Sequence, residues 1–186
     1  MPLREFQVRL QGCPGARGFA KTCGGRAELA HEELNMAVFT LGELLDCAQD
    51  AENHLEASCS AIRDRSTDSG VRLLTYYLAR HRHHQKSALS GLASGLLRHL
   101  RKVELSCDLP FNPATELCPP DFAPDSVDGK MLIEAAVSHD RKLVVLYNAI
   151  LAQALNEELR AVLKALVKVE ERDIIMLKKM LAIRYF

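Results

Sequence analysis

The sequence has no tryptophan, no excess of charge of either sign and no long apolar run. A formal net charge of zero gives the chain no overall attraction to nucleic acid or to an anionic lipid surface. No run of about 18 apolar residues is present to cross a bilayer, and the N-terminus lacks the apolar core of a secretory signal. We therefore expect a cytoplasmic protein that binds neither nucleic acid nor membranes.

The six cysteines also lack the spacing of a metal site, since they form no CxxC pair and no zinc-finger pattern. Cysteines scattered in this way in a reducing compartment usually serve as small hydrophobic residues. The glycines of segment 16–25 have no strand before them and no well-placed helix after them, which argues against a phosphate-binding loop. Nothing in the sequence looks like the nucleophile elbow of a hydrolase.

The N-terminal segment differs in composition from the rest of the chain. Residues 1–36 carry glycines and basic residues without a sustained helical period, so we predict a mobile N-terminal tail. An arginine-rich targeting peptide is one alternative, and translation from Met36 is another. Residues 37–186 are numerous enough for one globular domain with its own core.

The first predicted helix begins at a capping box, which runs from Thr40 to Glu43. The Thr40 hydroxyl can accept from the backbone N–H of Glu43, whose carboxylate reaches back to the cap. Apolar residues then follow at spacings of three and four, as in an amphipathic helix. A turn cluster at residues 66–70 precedes a second helix that runs to residue 102. This pattern predicts a helical hairpin over about residues 40–102.

Five prolines forbid a continuous helix between residues 103 and 126. A connection of this length is far longer than one that joins antiparallel neighbours, so it should span the length of the fold. Asp128 or Ser126 can cap a third helix, and Asn156 can cap a fourth. These signals predict a second hairpin over about residues 129–184. Its two helices are predicted at residues 129–154 and 157–182.

The second hairpin repeats the first. When it is slid back by 88 positions without a gap, Asp140 aligns with Glu52, and Glu170 aligns with Arg82. The apolar positions of the two hairpins coincide in the same alignment. Two hairpins with short loops and one long crossover are typical of the ferritin-like type of four-helix bundle. We therefore predict an all-α protein of this type.

The repeated hairpins carry a family resemblance. Tyr147 follows Asp140 by seven residues, and the segment LVKVEERDIIMLKKM is similar to a metal-binding fourth helix. The chain resembles rubrerythrin and its ferritin-like relatives, in which a glutamate on each of the first and third helices, and a Glu-x-x-His motif on each of the others, surround a di-iron centre. The segments YYLARH, DGKMLIEAAVSHDRKL and VEERD resemble more closely a group of small bacterial ferritin-like proteins without an assigned activity. The resemblance implies a fold and no settled activity.

Carried over residue by residue, the resemblance places six residues at the centre of the bundle: Glu52, Arg82, Gln85, Asp140, Glu170 and Asp173. Arg82 and Gln85 stand where the second helix of the family has glutamate and histidine, and Asp173 replaces the other histidine. Arginine does not ligate iron, whereas buried carboxylates need a cation. We therefore predict a vestigial centre in which Arg82 supplies that cation. Such a centre implies that the protein has no catalytic residue and no cofactor, and that the bundle acts by binding or assembly.

A metal site is the alternative for the same region. His81 and His84 lie three residues apart, which places both on one face of the second helix. Imidazoles suit iron or zinc, as in a rubrerythrin-like protein that handles iron or reduces peroxide, although the neighbouring basic residues disfavour a dication. His139 points about 100° away from Asp140 around its helix, so we assign it no role. The residues of this alternative site are Glu52, His81, His84, Asp140 and Glu170.

The third predicted helix carries apolar residues on more than one face: Val144, Val145, Leu151 and Leu155. Wide burial within a bundle explains such a pattern, and the alternative is a face that pairs with a second copy of the chain. A homodimer is therefore the one partnership that the sequence suggests, and no other protein partner is indicated.

Overall fold

The computed structural model describes residues 37–94, 100–118, 122, 126–153 and 156–183. This part of the chain is mostly helical, as predicted, but it also contains a small two-stranded sheet. The predicted tail, residues 1–36, lies outside it. None of the helices in the described ranges is long and apolar enough to cross a membrane. The elements are β1 (Ala37–Thr40), α1 (Leu41–Arg65), α2 (Ser69–Ser94), β2 (Glu104–Cys107), α3 (Pro113–Glu116), α4 (Gly129–Leu151) and α5 (Glu157–Ala182).

Three of the long helices begin where the sequence provides the predicted caps. Thr40 Oγ1 accepts a hydrogen bond from the Glu43 N–H at 3.2 Å, and Glu43 Oε2 accepts one from the Thr40 N–H at 2.7 Å, which confirms the capping box of α1. Asp128, rather than Ser126, caps α4 by accepting the N–H three residues further on at 2.7 Å. Asn156 caps α5 in the same way.

Two helix ends differ from the prediction. The described part of α2 ends at Ser94 instead of residue 102, and Leu100–Lys102 forms a short 3₁₀ turn instead. α4 ends at Leu151, three residues before its predicted end, because the chain tightens there and the Gln153 N–H donates to the Ile150 carbonyl at 3.0 Å.

The long connection between α2 and α4 is more ordered than the prolines predict. Its strand β2 pairs antiparallel with β1. The Leu41 N–H donates to the Val103 carbonyl at 2.9 Å, so the connection also holds the first turn of α1. Gly42 lies against the 3₁₀ turn, where an added Cβ would sit 2.9 Å from the Arg101 carbonyl oxygen. This close approach explains a glycine in the first turn of a long helix.

The described core is divided into two apolar clusters by a layer of buried charged residues. On α1, for example, Ala51 belongs to the first cluster and Cys59 to the second, and Glu52 lies between them. On each of the other three long helices, a buried charged residue likewise lies between the residues of the two clusters; the second cluster comes first along α2 and α4. The charged layer therefore lies in the interior and not at either end.

The described cysteines only partly follow their prediction. Cys59 and Cys107 are buried free thiols, and Cys47 is a half-buried one. Burial raises the pKa of Cys59 to about 11, so this thiol behaves as a small hydrophobic residue. Cys118 differs, because it is disulfide-bonded.

Candidate functional site

Each long helix contributes one fully buried charged side chain to the layer between the two apolar clusters. The four are Glu52 from α1, Arg82 from α2, Asp140 from α4 and Glu170 from α5, and none is more than 1 % exposed. Each occupies a position in the buried stripe of its helix, where an apolar residue is usual. Since charged residues are almost never buried to this extent without partners, we take this charged layer as the candidate site.

The Arg82 guanidinium lies at the centre of the charged layer. Its Nη1 donates to Glu52 Oε1 at 3.3 Å, and its Nη2 donates to Asp140 Oδ1 at 2.5 Å. Nη1 also lies 3.9 Å from Glu170 Oε2, which is an ion-pair distance. Burial by itself would lower the pKa of Arg82, but the three carboxylates raise it above its ordinary value. Arg82 is therefore a permanent internal cation in contact with the three other long helices.

A second polar group lies on α2 and α5 beside the charged layer. His81 Nε2 is 2.6 Å from Asp173 Oδ2, and Gln85 Nε2 lies 3.1 Å from the same His81 nitrogen. Gln85 and Asp173 are both buried. All six residues of the predicted centre are thus buried, but they form two groups: four meet at Arg82, and the other two meet at His81.

His139 of α4 also reaches the charged layer, although the sequence pattern assigns it no role. It is 2 % exposed; its Nε2 lies 3.3 Å from Glu52 Oε1, and its Nδ1 lies 3.1 Å from the Leu117 carbonyl oxygen. A signal for this position was present, because one buried helix face is marked by the spacing of Leu132, Ala136, His139 and Leu143. α4 buries an arc wide enough to include both His139 and its neighbour Asp140.

The two histidines of the alternative metal site do not meet at the centre. His81 lies beside Asp173, whereas His84 is exposed and its ring stands edge-on to that of His83, with ring centroids 6.2 Å apart. In the described ranges, no group of three or more His, Cys, Asp or Glu is placed to hold a metal ion. The Arg82 guanidinium binds one oxygen of Glu52 and one of Asp140, and it stands where the family has a ligating glutamate, so the residues present do not fit the di-iron centre that the resemblance implies.

The three carboxyl groups around Arg82 differ in their pKa values. Burial would raise the pKa of Glu52, but Arg82 and His139 together lower it below its ordinary value. The pKa of Asp140 is raised, because burial outweighs the effects of Arg82 and His139. Burial and the neighbouring Asp140 raise the pKa of Glu170 to about 9. Glu170 is therefore a neutral acid at pH 7.

Several buried oxygens in the charged layer have no hydrogen-bond partner among the described residues. They are Glu52 Oε2, Asp140 Oδ2, both side-chain oxygens of Glu170 and the Tyr147 hydroxyl. Burial and Glu170 raise the pKa of Tyr147 well above its ordinary value, so its hydroxyl stays protonated. A cavity of about 10 Å³ beside Arg82, lined mainly by apolar side chains, has room for a single water molecule. A substrate has no room in this cavity.

No family model, curated protein or solved structure matches the chain. The function is therefore argued from the site itself. Chemically, the charged layer is a sealed set of fixed groups: one permanent cation, two carboxyl groups hydrogen-bonded to it, one neutral acid and one imidazole. All of these groups are buried.

Proposed function

We propose that the chain is a ferritin-like four-helix bundle in which a charged network replaces the di-iron centre, and that it acts without catalysis, by binding or assembly. The position of the Arg82 guanidinium carries this proposal. It contacts Glu52 and Asp140, which align with each other in the internal repeat and correspond to two metal-binding glutamates of the family it resembles. A cation supplied by the protein can neutralise these carboxylates without a metal.

The packing of the long helices supports the ferritin-like assignment. α1 packs along α2, and α4 packs along α5, with a short loop inside each pair. The connection between the pairs is long and carries β2 and α3. Two hairpins with one long crossover are what this type of bundle requires.

The sealing of the charged layer supports a role without catalysis. A general acid or base must come within hydrogen-bond reach of its substrate. The four charged side chains are at most 1 % exposed, and the cavity beside Arg82 holds no more than a water molecule. Access for a substrate would require the helices to separate, and that separation would expose the apolar clusters on both sides of the charged layer to water.

The experiment that tests the proposal is the metal content of the untagged full chain after expression with added iron and, separately, with added zinc. We expect far less than one metal ion per chain. Near-stoichiometric metal that is lost in Glu52→Ala would contradict the proposal. Arg82→Ala removes the internal cation, and metal uptake by this variant alone would support the replacement. Arg80→Ala is the matched control, because Arg80 lies on the same helix but is exposed.

A metal-binding function is the second candidate, and the partnerless carboxylate oxygens of the charged layer favour it. Buried oxygens normally find a partner, and a cation would provide one. This candidate would group the chain with proteins that handle iron or reduce peroxide. It requires that the natural chain bind metal with Arg82 in place, so the same measurement separates the two candidates.

Assembly into a homodimer is the form of binding that the sequence suggests. Of the apolar residues on the predicted face, Val145 is 38 % exposed, Val144 and Leu151 are half-buried, and Leu155 lies outside the described residues. Leu151 packs against the first apolar cluster, so wide burial explains part of the pattern. Analytical ultracentrifugation at micromolar concentration tests the rest: a dimer that dissociates in Val145→Glu would support this face, and a monomeric natural chain would count against it.

A further inference from the structure

The helices α1 and α2 form a groove of about 370 Å³ on their solvent-facing side, which we call the hairpin groove. Three of its lining side chains lie on successive turns of α1, and four lie along one stripe of α2. They are Glu56, Ser60 and Arg63 from α1, and Tyr76, Ala79, Arg80 and His83 from α2. None of them belongs to the charged layer, so the hairpin groove is a separate site.

Small side chains form the floor of the hairpin groove. Ser60 is half-buried and Ala79 is 8 % exposed, and Ala79 also packs in the second apolar cluster. The rim consists of longer side chains that reach further into solvent, among them Tyr76, Arg80 and His83. Two packed helices leave an opening where small residues stand between long ones. The contact of Ala79 with the core therefore fixes the floor of the groove.

One end of the hairpin groove carries a carboxylate, that of Glu56. The Nζ of Lys86 donates to Glu56 Oε2 at 3.4 Å, and His83 Nδ1 lies 3.2 Å from Glu56 Oε1. Both oxygens of this carboxylate therefore have a partner, and the lysine balances its charge. Glu56 consequently does not offset the positive charge of the two arginines that line the rest of the groove.

These two arginines have donors to spare. Arg63 Nε donates to Asp64 Oδ1 at 3.2 Å, which leaves its two terminal nitrogens without a partner in the described part of the chain. Arg80 is exposed, and within the same ranges its side chain has neither an ion pair nor a hydrogen bond. A guanidinium offers paired donors that match the oxygens of a carboxylate or a phosphate. Two such groups beside the single carboxylate of Asp64 favour an anion in the groove.

Tyr76 adds a flat apolar surface to the same groove. It is 51 % exposed, and its hydroxyl has no hydrogen-bond partner among the described residues. An aromatic ring packs well on another ring, and a guanidinium also stacks on aromatic faces. A volume of about 370 Å³ lies at the lower end of the range for small-molecule sites, so the groove suits a ligand of about one ring.

We infer that the hairpin groove binds a small aromatic acid, whose ring lies on Tyr76 and whose carboxylate or phosphate group is held by Arg63 and Arg80. The Ser60 hydroxyl is a further donor at the floor of the groove. Either acid group can satisfy the guanidiniums, and the ring supplies a contact that an inorganic anion lacks. This inference goes beyond the proposed function and does not depend on it, because the groove shares no residue with the charged layer.

An NMR titration of the full chain, followed through its backbone N–H signals, tests the groove with three probes: phenyl phosphate, benzoate and inorganic phosphate. We expect an aromatic acid to shift the signals of Ser60 and Ala79 until saturation, and the tighter of the two shows which acid group is preferred. Inorganic phosphate should bind about tenfold more weakly, because it has no ring to contact Tyr76. Equal binding of inorganic phosphate, or no saturable shift with either aromatic acid, would overturn the inference.

Three variants locate the binding, and circular dichroism verifies that each is folded. Arg80→Ala removes a charge-assisted donor and should weaken the tighter aromatic acid about tenfold. Ser60→Leu fills the floor but keeps every cation, so it should abolish binding. Arg141→Ala is the matched control, because Arg141 is exposed on α4 and outside the groove.

Equal affinity in Arg80→Ala and Arg141→Ala, or undiminished binding in Ser60→Leu, would overturn the inference, since general surface charge would then explain the attraction. If Ser60→Leu does not fold, the comparison of the two arginine variants decides. Failure of the proposed function would appear separately, as metal bound to the natural chain.

Discussion

Arg82 Nη2 donates to Asp140 Oδ1 at 2.5 Å, between residues that are 58 positions apart in the sequence. This buried bond joins α2 to α4, and therefore joins the first pair of long helices to the second. The same guanidinium donates to Glu52 of α1, so one side chain holds three helices together. Arg82 should consequently matter more to stability than any exposed arginine of the chain.

Replacement of Arg82 by alanine leaves Glu52 and Asp140 buried without their cation. We expect the free energy of unfolding to fall by about 3–5 kcal/mol, the usual effect of removing one partner of a buried ion pair. Urea denaturation followed by circular dichroism measures this change. Arg80→Ala, at an exposed position two residues away, should change the value by less than about 0.5 kcal/mol. If the two variants were equally stable, the buried charges would not be coupled as described.

Glu170 should make the stability of the chain depend on pH. Its pKa is raised from 4.5 to about 9 by burial and by Asp140, so between these values the folded chain holds a proton that the unfolded chain releases. The contribution of Glu170 to stability therefore falls as the pH rises through this range and is constant above it. Glu170→Gln, which cannot ionise, should gain stability relative to the natural chain at pH 9 but much less at pH 5.

Denaturation curves at pH 5, 7 and 9 measure this effect. Glu171→Gln serves as the control, since Glu171 is the exposed neighbour on the same helix. A difference between Glu170→Gln and the natural chain that stays the same at all three pH values would argue against a raised pKa for Glu170.

Gly42→Ala should destabilise the chain, although alanine has the higher helix propensity by about 1 kcal/mol. The new Cβ would lie 2.9 Å from the Arg101 carbonyl oxygen, so the first turn of α1 or the 3₁₀ turn would have to move. We expect a net loss of about 1–3 kcal/mol, the usual range for an overpacked contact. Thermal denaturation checks the sign, and a gain in stability would mean that the 3₁₀ turn yields easily.

The caps of α4 and α5 should contribute to stability independently of the charged layer. Asp128→Ala and Asn156→Ala each remove a side-chain acceptor for a backbone N–H, and each should cost about 1 kcal/mol. Thr67→Ala is a suitable control, because Thr67 is exposed in the loop before α2. Chemical denaturation measures the free energy of unfolding of each variant. If neither cap substitution lowered it, tertiary packing alone would fix where the helices start.

The parts of the fold that follow from local signals were predictable from the sequence. Thr40, Asp128 and Asn156 mark helix starts because a capping side chain bonds within three residues of itself. The internal repeat pointed to Glu52 and Asp140 as equivalent positions, and the structure brings both to one guanidinium. Here a spacing in the sequence was enough to identify partners that are far apart along the chain.

Features that depend on distant packing were not predictable in the same way. β1 and β2 are four residues each, too short to show a strand period, and they exist because they pair with each other. His139 was missed because only one of two adjacent residues was expected to face the interior, whereas α4 buries an arc that includes both. The pairing of His81 with Asp173 depends on the rotation of α2 relative to α5, which no local pattern determines.

The charged layer between the two apolar clusters also fixes the axial register of the helices. Leucine and alanine contacts tolerate many alignments, since one apolar surface packs nearly as well as another. A slide of one helix by a single turn, about 5.4 Å, would press Arg82 against aliphatic side chains and leave Glu52 and Asp140 without their cation. An axial shift of any one helix would therefore leave charged groups of this layer buried without partners, which is strongly destabilising. The charged layer thus selects a single alignment of the four long helices.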